Sequence, residues 1–231
     1  AENEYGERGL ISGVESTFNA RQGVSHTGGC GITYIGCKFN NTGQGRFSTA
    51  PSAGADVEAE TGQTRDVLFI NCEFMNNVGL DYTDATGDNA NIRLRDCKIV
   101  GTSGYAAWIM QSQLDNCKIV GRFGAGSIYR DGNSESDQTS YQHKARFKEC
   151  IFTDDPRLSP TGVVANGTMG ELTSTDQPVF SMYKDCEWHT FSTSIMLGYL
   201  VGRETSVIVD GGKWVIYEGS ALSGENLSAF Y

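Results

Sequence analysis

Two carboxylates stand two residues apart in the run Gly54-Ala55-Asp56-Val57-Glu58. On an extended strand that spacing places both on one face, roughly 6–7 Å apart. Like charges at this range resist joint ionisation, so one holds its proton to higher pH, as a general acid must. Setting Gly23, Gly54, Gly79 and Gly104 in register brings a third carboxylate to the same face. Val24, Ala55, Leu80 and Tyr105 then point inward, and Ser25, Asp56, Asp81 and Ala106 outward. The next outward row is Thr27, Glu58, Thr83 and Trp108, with Arg21 outward two residues before Gly23. This register predicts Asp56 and Asp81 on adjacent strands, one strand spacing apart. The three acids also suit a solvated acidic face or a Ca²⁺ site.

The elements that would carry such strands are written in the cysteines. Six of the seven fall in one recurring phrase: ITYIGCKF, VLFINCEF, IRLRDCKI, SQLDNCKI, ARFKECIF and SMYKDCEW. A further copy, VIVDGGKW, has Gly212 in the Cys position, and Cys30 lies outside the pattern. Apolar residues recur three before the Cys (Tyr34, Phe69, Leu94, Leu114, Phe147, Tyr183, Val209) and two after it (Phe39, Phe74, Ile99, Ile119, Phe152, Trp188, Trp214). Period-two alternation on both sides predicts two short strands joined by a corner, which Asn71, Asp96, Asn116 and Asp185 occupy as residues tolerant of the left-handed conformation. The uneven spacing fits a solenoid with variable loops, a parallel β-helix in which the cysteines form a buried ladder. A metal or redox role would call for paired C-x-x-C spacing, which is absent.

Composition agrees with many short strands and tight turns: 29 Gly and only 4 Pro in 231 residues. Aromatic residues at 10% argue against disorder. A net charge of −10 argues against sequence-blind attraction to nucleic acid or anionic membrane, and no apolar run approaches the roughly 18–20 residues that span a bilayer. Residues 1–231 are expected to form a single β-helix domain, or one part of a longer chain.

The run from Arg21 to Asn77 resembles the pectate-lyase-like β-helix of bacteriophage tailspike depolymerases, with a Gly-φ-Asp-φ-Glu strand followed by a strand, an Asn corner and an aromatic strand. The rung pattern extends this resemblance from Gly23 to about Trp214. It implies an all-β, single-stranded right-handed parallel β-helix of about seven rungs. It further implies carbohydrate cleavage or binding on the outer face of the third-strand sheet, a bacterial polysaccharide as partner, a homotrimer, and a place on a virion tail or outside the cell. Long loops would wall the face: 40–52 with Arg46 and Phe47, and 131–142.

Three mechanisms follow from that resemblance. In a glycoside hydrolase Glu58 or Asp56 is the acid and Asp81 the base or nucleophile, the wider Asp56–Glu58 pair leaning towards inversion. In a lyase on a uronate-containing glycan, Arg21 is base or neutraliser and the three acids hold Ca²⁺, the one cofactor considered; no Lys/Arg cluster flanks the acidic strand. In a non-catalytic glycan-binding or structural β-helix of an adhesin or fibre, an outward Trp108 stacks on a sugar ring, although YAAWIM is apolar enough on both faces to turn it inward. Arg21, Arg46 and Trp108 are the substrate-binding candidates. His26 falls inward, and His143 and His189 show no partner spaced for a metal or a triad.

Overall fold

In each turn of the chain, a two-residue corner whose first residue is left-handed redirects one short strand into the next. The computed structural model describes residues 8–60, 63–87, 89–102, 104–126, 145–173, 179–192, 194, 197–200 and 205–217. Their strands stack in parallel as two eight-stranded sheets, one seven-stranded sheet and a small three-stranded sheet. The first sheet holds the strands before each Cys, such as Leu68–Ile70 and Arg93–Arg95; the second holds those after it, such as Glu73–Met75 and Lys98–Val100. The third sheet contains Gln22–His26, Ala53–Glu58, Tyr82–Thr86, Ala107–Ile109 and Phe123–Gly126.

The corner residues behave as their types require. Asn71, Asp96, Asn116 and Asp185 have φ of 50°, 56°, 49° and 52°, and Glu149 takes the same conformation at 54°. Cysteine follows because the position is fully enclosed and small. Of the ladder thiols, Cys72 donates to the Tyr34 carbonyl of the preceding rung, Cys97 to that of Phe69, Cys117 to that of Leu94 and Cys150 to that of Leu114, at 3.4–3.7 Å. All seven cysteines are free thiols. Hydrogen bonding to Cys150 and Cys97, together with burial, pushes the Cys117 thiol well above its ordinary pKa. Gly212 cannot be a cysteine, because with φ at 92° its Cβ would come 2.0 Å from the Cys186 carbonyl oxygen.

Equivalent residues stack inside the coil. Tyr34 lies on Phe69 and Phe147 on Tyr183, each pair with ring centres 4.8 Å apart, and Trp188 lies on Trp214 at 4.2 Å. Such pairs contribute about 0.5–1.5 kcal/mol each beyond the area they bury. Leu94, Leu114, Ile99 and Ile119 fill the same columns in the middle rungs and are fully buried.

One more rung precedes the seven copies. Gly9–Ser12 pairs with the strand of Tyr34, and Glu15–Thr17 with that of Phe39. Val14 occupies the Cys position there, its carbonyl accepting from Lys38 as the Cys37 carbonyl accepts from Glu73. The missing Cys hid this rung from the repeat.

Candidate functional site on the third sheet

The acidic strand Ala53–Glu58 pairs with Gln22–His26 as expected, Val24 opposite Ala55 and Ser25 opposite Asp56. On its other side the register differs by two residues. Tyr82 pairs with Ala55 and Thr83 with Asp56, so Thr83 and not Asp81 stands beside Asp56. The glycines misled because close backbone approach demands them at two different heights. A Cβ on Gly54 would lie 2.5 Å from the Asp81 carbonyl oxygen, whereas one on Gly79 would strike the Pro51 carbonyl at 1.8 Å. A shift of two preserves the alternation within the strand, so Thr83 takes the outward place beside Asp56 while Asp81 falls just before the strand begins at Tyr82.

Asp81 is therefore no member of an exposed acidic triad. It is fully buried, its Oδ1 accepting from the backbone and side chain of Asn77, and burial pushes its carboxyl well above the ordinary range. It ties the turn 77–81 together. Among the described residues no three His, Cys, Asp or Glu side chains gather as cation ligands, so the expected Ca²⁺ cluster of Asp56, Glu58 and Asp81 does not form.

Asp56 and Glu58 do share the outward side of one strand. Asp56 is only 6% exposed, and its pKa is raised to about 6, first by burial and then by the neighbouring Glu58. Gln22 Nε2 donates to Oδ2 at 2.7 Å and, with the charge of Arg21, holds part of that rise back. Glu60 adds a further weak upward push. Glu58 is half-buried, opposite Thr86 across an irregularity in the pairing. Arg21 is exposed and anchored by its Nε to the Ala50 carbonyl at 3.2 Å, which fastens the loop 41–52 to the start of the site. Arg46, further along that loop, is exposed with its guanidinium 5.4 Å from the Phe47 ring. The second expected wall, 131–142, lies outside the described residues, as does His143.

Trp108 faces outward. It pairs with Thr83 on one side and Gly124 on the other, which places it in the same row as Asp56, two rungs away at about 4.8 Å per rung. Half-buried, it packs on Ala85 and Met110 outside the main core, with Tyr105 edge-on at 5.8 Å. The YAAWIM segment buries Ala106, Ala107, Ile109 and Met110 instead.

The sequence reading missed Gln22 and Thr83 beside Asp56, and it missed Asp84. Asp84 is fully buried and accepts from the backbone of Met110 and Gln111 and from the Ser112 hydroxyl, with Tyr82 bonding the same hydroxyl at 2.6 Å. An acid at an inward position was the available signal. His26 lies inward and bonds the Tyr34 hydroxyl at 2.8 Å, while His189 does have partners, Tyr217 and Glu187.

The profile of the family described as right handed beta helix region matches residues 3–142, and the chain belongs to that family. β-Helix domains of this kind are common to polysaccharide-degrading enzymes and adhesins. A search of curated proteins found no match.

Proposed function

We propose that the protein is a polysaccharide depolymerase, an endo-acting glycoside hydrolase with Asp56 as general acid. The observation that carries this reading is a carboxyl that keeps its proton to about pH 6 on the outward side of a third-sheet strand, with Glu58 two residues along. Burial and the Glu58 charge create the proton reservoir; Gln22 holds Oδ2 and leaves Oδ1 to deliver the proton to a glycosidic oxygen. Glu58 is the base that activates water. Two positions along a strand give a separation of roughly 6–7 Å, nearer the spacing of inverting enzymes than that of retaining ones. Asp81, buried and spent on Asn77, has no part in this chemistry.

The partner is a bacterial surface or capsular glycan, and a homotrimer on a virion tail or an extracellular protein is the setting this reading favours. Asp56→Asn and Glu58→Gln tested against a panel of such glycans should each cut turnover by about 10²-fold or more with the melting curve retained. Near-normal turnover in Asp56→Asn would remove the assignment. A second reading, glycan binding without cleavage, draws on the half-buried outward indole of Trp108; tight binding with intact polymer would favour it.

A further inference from the structure

A concave site lies away from the acidic strand, at the corner where the small sheet leads into the first sheet. Gly31, Asp66 and Asn91 turn that corner in successive rungs, with φ of 76°, 54° and 57°. Two residues later Thr33, Leu68 and Arg93 stand opposite one another in register. These two rows floor a cavity of about 380 Å³, which Arg8 closes from the side. Gly31 permits that closure, since a Cβ there would meet Arg8 Cγ at 2.7 Å.

The charges in the cavity are arranged for an anion. Asp66 is occupied by neutral donors: Asn91 Nδ2 on Oδ1 and the Cys30 thiol, 3.5 Å away, on Oδ2. Arg93 is steered by its Nε, which donates to Asn91 Oδ1 at 2.7 Å and leaves both terminal amino groups of the guanidinium uncommitted. Neither Arg8 nor Arg93 has a carboxylate at ion-pair distance among the described residues. Two guanidiniums converging on one cavity, without an ion pair among the described residues, stand out in a chain of net charge −10. A bare oxyanion would satisfy the arginines yet leave the apolar surface of Leu68 and the hydroxyl of Thr33 unused.

We propose that this cavity binds a carboxylate-bearing pyranose, a uronate unit of an acidic glycan. Arg8 and Arg93 take the carboxylate, the Thr33 hydroxyl and the remaining lone pairs of the Asp66 carboxylate take the ring hydroxyls, Leu68 meets the apolar ring face, and Asn91 holds Arg93 and Asp66 in place. The site is separate from Asp56 and does not depend on cleavage there.

The test is calorimetry and amide-shift mapping with trigalacturonate on the intact protein, with maltotriose as the neutral control and inorganic sulfate as the bare anion. Saturable trigalacturonate binding is expected, with shifts at Thr33, Leu68 and Asn91, and affinity that falls as salt is added. Arg93→Gln and Arg8→Gln, both at exposed positions, should each weaken it about tenfold or more, while Asp56→Asn leaves it unchanged. Equal binding of maltotriose, sulfate binding without uronate binding, unchanged affinity in both arginine variants, or no binding at all would each overturn the proposal. Because Asp56→Asn should abolish cleavage but spare this binding, failure of one reading is distinguishable from failure of the other.

Discussion

Asp56 and His26 sit on neighbouring third-sheet strands and titrate with opposite consequences for stability. The Asp56 pKa is raised to about 6, so its contribution is full below the ordinary value of 3.8 and is lost as pH rises through 6. His26 is lowered by burial to about 4, so its contribution is full above 6.5 and is lost as pH falls towards 4. Melting temperature followed from pH 4 to 7 should therefore rise more steeply with pH in Asp56→Asn than in the wild type, because the variant loses one of the raised carboxyls that oppose the histidine while Asp81 and Asp84 stay as they are. An unchanged slope would contradict the raised Asp56 pKa. Tyr34→Phe removes the buried partner of His26 Nε2 and should cost about 1–3 kcal/mol in denaturant unfolding, the penalty for stranding a buried polar atom.

Corners decide stability at the scale of the element. Glu149 holds the left-handed corner with a side chain poorly suited to it, where sister corners use Asn, Asp or Gly. Its ion pair with Lys148, at 3.3 Å and exposed on both sides, offers little in return. Glu149→Asn or Glu149→Gly should stabilise the protein by up to about 1 kcal/mol, read as a raised denaturation midpoint. Gly212→Ala should destabilise by more than about 1 kcal/mol, since both φ and the Cys186 carbonyl oppose a Cβ. Corners and inward columns were readable from sequence because they repeat: each Cys comes with an αL residue before it and an apolar residue two after. The register of the third sheet was not readable, because turns of unequal length lead into it and glycines mark close approaches, not heights. Asp81 was accordingly misplaced by two residues, while the shared strand of Asp56 and Glu58 survived, since alternation along one strand needs no partner; Trp108, which the apolar YAAWIM run favoured turning inward, lies outside the main core.

At the scale of the whole molecule, a coil of stacked rungs turns single residues into rows, and function follows from which row carries charge. The third sheet presents Asp56, Thr83 and Trp108 in one row across successive rungs, and the first sheet presents Thr33, Leu68 and Arg93 in another. If both proposals hold, an acidic outer face on one sheet and, on another, two arginines without an ion pair among the described residues would meet a heteropolymer with neutral and acidic units. In the proposed mechanism Asp56 gives its proton to a glycosidic oxygen while water attacks. The most direct measurement is mass spectrometry of the products formed from bacterial surface polysaccharides in ¹⁸O-water, for the wild type and Asp56→Asn across pH 4–8. Fragments carrying one added labelled water, formed at a rate that falls above about pH 6 and is lost in the variant, are the predicted result. Unsaturated, unlabelled fragments, or polymers left whole throughout the panel, would contradict it.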